Sequence, residues 1–467
     1  MVIKHNCGMA VTHRLAEAYG FINSLQHRGR EAAGIAAIGR DRIDVIKWRG
    51  RVNALDVIAL ENIFESSRYH TFFAHVRYAT SGDEGAVLED AHPHVIGGRK
   101  EHRGNHILIW DCDAAAVHNG QVDANFFTSI EGRCSSSCDT ERMLHLYIAR
   151  GEYELMRRVP GAFTIAIADK RREEVIVMRD SSGIKPGVLG KIGGKYCVAS
   201  EDIAIRKNSA EVKEDLDPGT IYYLAADGRY RKQFVCSPRP SYCFFEWNYL
   251  AHKDSILNGV PVHTMRDILG RQLAEQGDIG HVDIVTFLPR CPEIAAESFA
   301  RAINRSCVPL FYKMKGERSF QGTTAEERAV SIKNNLYLIP GVIASIRGKI
   351  IVVVDDSIVR GNNIRRARQL LYEEAGVKEA ILLSYTPPLG IIGEDNIPRG
   401  CMFGVDMPPH ADRFIARGRT LDQISAEIQM PVRYLSVEGM LKAFEACGLP
   451  RQTLCTYCIG GRHPFQQ

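Results

Sequence analysis

The second half of the chain alternates short apolar runs with helix-like segments, and this alternation restricts the possible folds more than any other feature. The apolar runs are HVDIVTF, CVPLFY, KIIVVVDD, EAILLSYT and CMFGVD, and most are separated by segments such as EIAAESFARAIN and NNIRRARQLLYEEAG. Strands buried on both faces are continuously apolar, and parallel strands need crossover connections. The second half is therefore predicted to be an α/β domain, with helices on both faces of a parallel sheet.

The first half, to about residue 235, has a different rhythm. Its β-like runs follow one another with few helices between them: AAGIAAIG, HTFFAHVRYAT, AFTIAIAD, EEVIVMRD and KYCVASED. Helices are expected at RLAEAYGFINSLQHR and near TERMLHLYIARGEYELMRRV. Strands in series predict an antiparallel α+β domain. We place this domain at 7–235, a linker at 236–260, the α/β domain at 261–430 and a C-terminal tail at 431–467.

Composition excludes several classes of function. A net charge of +4 over 467 residues does not indicate a nucleic-acid partner, although an anionic small-molecule site stays open. No apolar run approaches the roughly 20 residues that cross a bilayer. The start, MVIKHNCGMA, lacks the apolar core of a signal peptide. A soluble, cytoplasmic protein without a membrane partner is expected.

Thirteen cysteines are many for such a chain. An odd number in an apparently cytosolic protein indicates thiols used for metal binding or catalysis rather than disulfides. Cys455 and Cys458 form a C-x-x-C pair, which taken alone favours zinc. Cys134 and Cys138 form a second, wider pair in a serine-rich stretch that reads as a loop. Cys7 stands alone near the N-terminus.

A pair of acids, Asp355 and Asp356, ends the apolar run KIIVVVDD. Ligands of open α/β sheets bind beyond the carboxyl ends of the strands, and phosphates bind at helix N-termini. The acids can hold Mg²⁺ or sugar hydroxyls, while Arg360 and Gly361 suit a phosphate close to the backbone. The alternative is that one asparagine of SIVRGNN caps the next helix and the acids are merely solvated.

A resemblance to a known family covers nearly the whole chain. VVVDDSIVRG is similar to the phosphoribosyl-diphosphate (PRPP) motif of type I phosphoribosyltransferases, in the version found in glutamine amidophosphoribosyltransferases. Motifs typical of class II glutamine amidotransferases precede it in the expected order: CGMA at 7–10, LQHRGREAAGI at 25–35, AHVRYATSG at 74–82, HNG at 118–120 and CDTE at 138–141. RDSSGIKPGVLG and VASED follow as in the amidophosphoribosyltransferase branch.

The resemblance implies a glutaminase of the N-terminal nucleophile (Ntn) type in the first half. Amide hydrolysis needs a nucleophile, a base and donors to the oxyanion. Cys7 would be the nucleophile, with its own α-amino group as base, while Asn119 and the Gly120 amide would form the oxyanion hole. Arg77 would pair with the α-carboxylate of glutamine and Asp139 with its α-amino group. Taken singly, each residue has a simpler explanation: Cys7 could be a small core residue, Arg77 could belong to a surface ion pair, and HNG could be a plain turn.

Two further implications concern the ends of the chain. The base must be a free α-amino group, so residues 1–6 are predicted to be a propeptide. Four cysteines fall where the iron–sulfur members of the family carry cluster ligands, and they are expected to hold a structural [4Fe–4S] cluster, with zinc as the alternative. They are Cys243, Cys401, Cys455 and Cys458.

In the second half, the resemblance assigns PRPP to the acid pair and its loop. Asp355 and Asp356 would face the ribose hydroxyls and Mg²⁺, and the loop from Ser357 through Arg360 to Gly361 would take the 5′-phosphate. The site also departs from the family. Ile294 follows Glu293 where a hydroxyl residue is usual, the flexible loop YKMKGERSFQGTTAEER is altered, and Asn362–Asn363 replaces two threonines.

The leading hypothesis is a glutamine-dependent amidophosphoribosyltransferase that makes 5-phosphoribosylamine, the first step of de novo purine synthesis. The resemblance further implies Mg²⁺ dependence, a homo-oligomer (commonly a tetramer) and feedback by purine nucleotides. One alternative is a paralogous amidotransferase acting on another phosphorylated acceptor. The other is a PRPP- or nucleotide-sensing regulator that retains the fold.

Overall fold

The computed structural model describes residues 7–78, 87–127, 134–136, 138–277, 279–313, 336–405, 407–410 and 413–465. The predicted propeptide and most of the altered flexible loop lie outside these residues. Within the described part of the chain, no helix is both long and apolar enough to cross a membrane.

The first half forms one large antiparallel sheet, as the succession of β-like runs predicted. Its strands are β1 (Gly8–Thr12), β2 (Ala32–Ile38), β3 (Ile43–Arg49), β4 (Thr71–Arg77), β5 (His94–Arg103), β6 (His106–Val122), β7 (Gly161–Asp169), β8 (Glu174–Arg179), β9 (Val188–Ile192), β10 (Lys195–Ala199), β11 (Glu211–Asp215), β12 (Thr220–Ala225) and β13 (Tyr230–Phe234). The strand order is β11-β9-β10-β1-β4-β2-β3-β6-β7-β8-β12-β13, with β5 paired to β6.

Four α-helices are seen in the described part of this half: α1 (Leu15–Ser24), α2 (Val57–Phe64), α3 (Asp139–Arg158) and α4 (Asp202–Lys207). α1 matches the first predicted helix and packs its buried side chains, Phe21 and Ile22 among them, against β1 and β4. α3 matches the second, but it is kinked at Gly151, whose φ of 81° is not helical.

The second half contains the predicted parallel sheet, in the order β18-β17-β21-β22-β23. The strands after residue 235 are β14 (Tyr242–Cys243), β15 (Ile256–Leu257), β16 (Val260–Pro261), β17 (Ile284–Phe287), β18 (Ser306–Cys307), β19 (Phe311–Lys313), β20 (Leu336–Leu338), β21 (Ile350–Asp355), β22 (Glu379–Ser384), β23 (Val432–Tyr434) and β24 (Leu454–Cys455). The α-helices are α5 (Val262–Glu275), α6 (Glu293–Ala302), α7 (Ile343–Ile346), α8 (Asn362–Gln369), α9 (Leu421–Ile428) and α10 (Val437–Ala446).

The central strand β21 shows why its sequence is apolar throughout. Val352 and Val354 belong to one hydrophobic cluster, which includes buried side chains of α5, α6 and α10. Ile351 and Val353 point the other way, into a cluster that contains side chains of α8 and α9. Successive side chains of a strand face opposite sides of the sheet, so both faces are covered by helices as predicted.

Two predicted strands differ in the structure. CVPLFY divides at Pro309, which has no amide hydrogen for a ladder: β18 joins the parallel sheet, and β19 pairs instead with β20. CMFGVD was expected to be a strand, and this prediction is wrong for residues 401–405. The chain bends there because the amides of Phe403 and Val405 turn back onto the sulfur of Cys401.

Candidate active site

Cys7 lies immediately before β1 and is completely buried. The antiparallel pairing of β1 with β4 brings it beside Arg77 at the end of β4. Burial raises the pKa of the Cys7 thiol to about 11, against the opposing charges of Arg77, Lys185 and Arg28. The thiol is therefore protonated at neutral pH and needs a general base to act as a nucleophile.

A buried ion cluster holds the backbone of Cys7. Arg28 donates from Nε to the Cys7 carbonyl at 2.9 Å, from Nη1 to Glu201 Oε1 at 2.6 Å, and from both terminal nitrogens to the Glu246 carboxylate at 3.0 Å. The ammonium of Lys185, also completely buried, is 3.8 Å from Glu246 Oε1. Because Glu246 belongs to the segment between the two sheets, the cluster ties the Cys7 region to the second half of the molecule.

The predicted anchors of glutamine are both buried. Arg77 donates from Nη1 to the Val87 carbonyl at 2.8 Å, and its Nη2 is 3.5 Å from Asp90 Oδ2. Asp139 is the first residue of α3, and its Oδ2 accepts from the Val122 amide at the end of β6 at 3.0 Å. A fixed guanidinium and a fixed carboxylate of this kind can hold the two charged groups of an amino acid.

Asn119 and Gly120 lie within β6, so the explanation of HNG as a plain turn is wrong. Asn119 is completely buried, and neither polar atom of its side chain has a hydrogen-bond partner among the described residues. A Cβ at Gly120 would lie 2.0 Å from the Ala162 carbonyl oxygen, so the close pairing with β7 requires glycine. His75 on β4 donates to the His118 carbonyl at 3.1 Å and so draws β6 toward the strand that carries Arg77.

The acid pair ends β21 and is buried. The Asp356 amide donates to Asp355 Oδ1 at 3.0 Å, and the Ser357 hydroxyl donates to Asp356 Oδ1 at 2.9 Å. Burial raises the pKa of Asp356 to about 6, and burial together with the neighbouring Asp356 charge raises the pKa of Asp355 well above its usual range. A bound cation would relieve this repulsion, so the site favours divalent metal.

Neither asparagine caps the helix after the loop. The N-cap of α8 is Gly361, and α8 begins at Asn362 with no side-chain cap. Gly361 has φ of 76°, in the left-handed region that favours glycine. Arg365 Nη1 bonds back to the Arg360 carbonyl at 3.1 Å and to the Asn362 side-chain oxygen at 3.3 Å. The Arg365 guanidinium thus holds the loop, and no side chain occupies the N-cap position, where a helix can bind an anion.

Sequence reasoning missed Lys313, whose charge acts on both acids of the pair, and Arg266, whose charge acts on Asp356. Burial lowers the pKa of Lys313, and the nearby charges of Arg290 and Arg30 lower it further, while Asp355 and Asp356 oppose them. The cluster of both signs suits a magnesium diphosphate. These bases lie far apart in the sequence and belong to no shared motif. Only Arg290, in LPRCPE, lies in a segment that the sequence analysis had singled out.

The same segment contains the altered ligand position. Glu293 is exposed, whereas Ile294 is buried and cannot serve as a ligand.

The raised pKa of Asp356 predicts a pH-dependent stability effect. An acid whose pKa is higher in the folded state than in the unfolded state does not lower the stability below its unfolded pKa, near 4. Its ionisation destabilises the folded state increasingly as the pH rises from there through 6. We expect Asp356→Asn to stabilise the protein without Mg²⁺ or PRPP by on the order of 2 kcal/mol at pH 7.5, and by less at pH 5. Thermal unfolding at both pH values measures this. The exposed Asp422→Asn is the control, and equal effects of the two substitutions would contradict the prediction.

The four predicted cluster cysteines surround one cavity, with Lys185, Phe245 and Tyr457 among the other lining residues. They are Cys243, Cys401, Cys455 and Cys458. The pairing of β14 with β24 sets Cys243 directly opposite Cys455, and so joins the C-terminal tail to the linker. Cys134 and Cys138 are not in this cavity.

The chemistry of this cavity fits a bound metal cluster. Burial raises the pKa of Cys455 to about 12 and that of Cys458 well above its usual range. The buried thiols therefore stay protonated unless a bound metal stabilises their thiolate form. Cys401 Sγ accepts bonds from the amides of Phe403 at 3.3 Å and Val405 at 3.4 Å. Backbone amides directed at sulfur are typical of iron–sulfur sites, where they tune the cluster.

The fold and the two sites define a class: a glutamine amidotransferase with an Ntn glutaminase domain, joined to a type I phosphoribosyltransferase domain. Residues 117–236 match the family model of the glutamine amidotransferase domain. The chain is 30% identical to the amidophosphoribosyltransferase of Mycobacterium bovis over 96% of this chain and 83% of that protein, and 29% identical to that of Bacillus subtilis over 96% and 90%.

Solved structures agree with this class. The B. subtilis glutamine phosphoribosylpyrophosphate amidotransferase, complexed with ADP and GMP, superposes with a TM-score of 0.80 at 27% identity, covering 98% of this chain and 97% of that one. A second structure, described as the allosteric regulatory enzyme of purine biosynthesis, gives a TM-score of 0.79 at 27% identity, covering 98% and 96%. This chain belongs to the amidophosphoribosyltransferase family.

Proposed function

We propose that this chain hydrolyses glutamine in its first domain and transfers the ammonia to C1 of PRPP in its second. The products are 5-phosphoribosylamine and pyrophosphate, and the reaction is the first step of de novo purine synthesis. The observation that carries the proposal is the presence of both sites in one chain: a buried Cys7 at the start of the antiparallel sheet, and the buried pair Asp355 and Asp356 at the carboxyl end of the parallel one.

In the glutaminase site, Arg77 and Asp139 hold the α-carboxylate and α-amino group of glutamine. The α-amino group of Cys7 takes the thiol proton, and the sulfur attacks the side-chain amide carbon. Asn119 Nδ2 and the Gly120 amide donate to the oxyanion; ammonia leaves with the proton, and water then hydrolyses the thioester. This role of the α-amino group requires the removal of residues 1–6, which stays a prediction because they lie outside the described residues.

In the transferase site, Asp355 and Asp356 would bind the ribose hydroxyls and Mg²⁺. The loop from Ser357 to Gly361, with Arg360, would bind the 5′-phosphate. Mg²⁺, when bound, supplies positive charge that stabilises the departing pyrophosphate. Lys313, whose pKa is affected by the charges of Asp355 and Asp356, would add positive charge on the same side of the site.

The proposed acceptor is tested by following both half-reactions together. With PRPP present, we expect glutamate and pyrophosphate to form in equal amounts, and glutamine hydrolysis to fall without PRPP. Glutamine hydrolysis indifferent to PRPP, with no pyrophosphate, would instead support another phosphorylated acceptor. Purine nucleotides are the proposed feedback inhibitors, consistent with the ADP and GMP bound to the B. subtilis structure. A homotetramer is also proposed, and sedimentation analysis tests it.

We propose a [4Fe–4S] cluster, with a structural role, at the four-cysteine cavity. Iron and acid-labile sulfide assays on anaerobically purified protein should find about four of each per chain. Cys458→Ser should lose the iron and loosen the tail against the linker, whereas Cys134→Ser, outside the cavity, should keep it. Stoichiometric zinc without sulfide would reject the cluster in favour of the alternative metal.

A further inference from the structure

We propose that His92, His94 and Cys138 form a second metal site, in the first domain, that takes Zn²⁺ or a similar transition-metal ion. The three side chains are buried, and one ligand atom of each lies within 4.8 Å of the others. His94 begins β5, His92 precedes it by two residues, and Cys138 directly precedes α3. The site shares no residue with the four-cysteine cavity.

The ligand chemistry selects the ion. Two imidazoles and a thiolate are typical of zinc sites, whereas Mg²⁺ and Ca²⁺ prefer oxygen ligands. Zinc–nitrogen bonds of about 2.0–2.1 Å and zinc–sulfur bonds of about 2.3 Å set tetrahedral ligand atoms somewhat under 4 Å apart. The ligand atoms lie within 4.8 Å of one another, so small side-chain rotations bring them to these distances. The fourth position is open to water or to Asp139, whose Oδ1 is 3.6 Å from Cys138 Sγ.

Neighbouring side chains hold the imidazoles in place. The ring of His92 lies against that of His75 with centroids 4.0 Å apart, and it meets His94 edge-on at 4.8 Å. His92 Nε2 is 2.8 Å from the Thr140 hydroxyl oxygen, which is also 3.0 Å from His118 Nδ1. Hydrogen bonds of this kind orient imidazole ligands in known metal sites and raise their affinity.

The position of the site predicts what the ion would do. Cys138 directly precedes Asp139, the proposed anchor of the glutamine α-amino group. Thr140 links His92 to the β6 segment that carries Asn119. An ion at this site would fix the start of α3 and withdraw Asp139 from glutamine. Zn²⁺ is therefore expected to inhibit the glutamine-dependent reaction and to spare the ammonia-dependent one, an effect that rests on the proposed function, although ion binding itself does not.

The site is tested by direct binding to the full-length protein carrying its cluster, after removal of loosely bound metal. We expect one Zn²⁺ per chain by calorimetry, and X-ray absorption at the zinc edge should show a mixed shell of nitrogen and one sulfur at about 2.3 Å. His94→Gln and Cys138→Ser should each weaken binding at least 100-fold, since outer-shell changes alone cost 10–100-fold. His94→Gln keeps the test valid if Cys138→Ser fails to fold.

Cys134→Ser is the matched control, because Cys134 belongs to a different group, with Glu141 and His145. The Glu141 carboxylate already accepts bonds from Ser135 and Ser136, so this control should bind zinc normally. The proposal is overturned by an all-sulfur zinc shell, by no binding at micromolar Zn²⁺, or by full affinity in both His94→Gln and Cys138→Ser. Direct zinc binding without inhibition would keep the site and reject only its link to glutamine.

Discussion

Replacing Cys7 with alanine is expected to abolish glutamine-dependent formation of phosphoribosylamine, with a loss on the order of 10⁴-fold or more. The thiol is the proposed nucleophile, and alanine has no group that can attack the amide. Activity with ammonium salts should stay within a few-fold of the parent, because ammonia then reaches the transferase site without the glutaminase. Pyrophosphate release, measured with glutamine and with ammonium chloride, separates the two reactions.

The control for this experiment is Cys197→Ala, which removes another completely buried thiol in the same domain. It should retain glutamine use, since Cys197 lies in the hydrophobic core of β10, away from the proposed chemistry. The intact mass of the active parent protein should correspond to a chain that begins at Cys7. Glutamine use that survives in Cys7→Ala, or an active protein that retains Met1, would contradict the proposed nucleophile or its maturation.

Replacing Arg28 with methionine is expected to destabilise the protein by about 3–5 kcal/mol, because it removes the buried guanidinium that two buried carboxylates share. Glu201 and Glu246 both lose close hydrogen bonds from this guanidinium. Burial opposes the charged form of Glu201, but the charges of His27 and Arg28 hold the pKa of Glu201 well below its usual range.

The sign of the pH effect follows from the lowered pKa of Glu201. A carboxylate with a depressed pKa contributes stability that is present above the unfolded value, near 4.3, and is lost as pH falls. The difference between Arg28→Met and the parent should therefore be large at pH 7.5 and smaller near pH 3, below the unfolded pKa. Thermal unfolding should show a shift of about 10 °C at neutral pH, at roughly 2–4 °C per kcal/mol.

The matched control is Arg68→Met, which removes an arginine from an exposed pair with Glu65. An exposed pair contributes under about 1 kcal/mol, so this variant should unfold close to the parent. Adding Glu246→Gln to Arg28→Met should recover part of the lost stability, because it removes one of the two carboxylate charges that the guanidinium had neutralised. Equal shifts for the two arginine variants would show that the buried cluster does not hold the two halves together.

Several features could be read from the sequence because they depend on local order. The apolar runs of β17, β21 and β22, alternating with helices, predicted the parallel sheet. The glutaminase motifs were assigned correctly to the family because their order along the chain needs no coordinates. CMFGVD failed for the opposite reason: its residues look like a strand, but the amides of Phe403 and Val405 bond to the sulfur of Cys401 and bend the chain.

Contacts between distant segments were decided only by the tertiary structure. Arg28 meets Glu201 and Glu246 across more than 170 positions. Lys313, at the end of β19, and Arg266, in α5, bring their charges to the acid pair. His92 and His94 lie close to Cys138 because α3 packs against β5. Burial also lowers the pKa of Lys313 and raises that of Cys138, and burial is a property of the folded molecule.

The sequence by itself determined the two domains, their fold classes and the family, since hydrophobic period and motif order are written locally along the chain. The tertiary structure decided which charges face each other, which cysteines share a cavity, and that Gly361 rather than an asparagine is the N-cap of α8. The physical reason is that electrostatic and metal-binding properties depend on distances of a few ångströms, and on exclusion of water, between residues that the sequence keeps far apart.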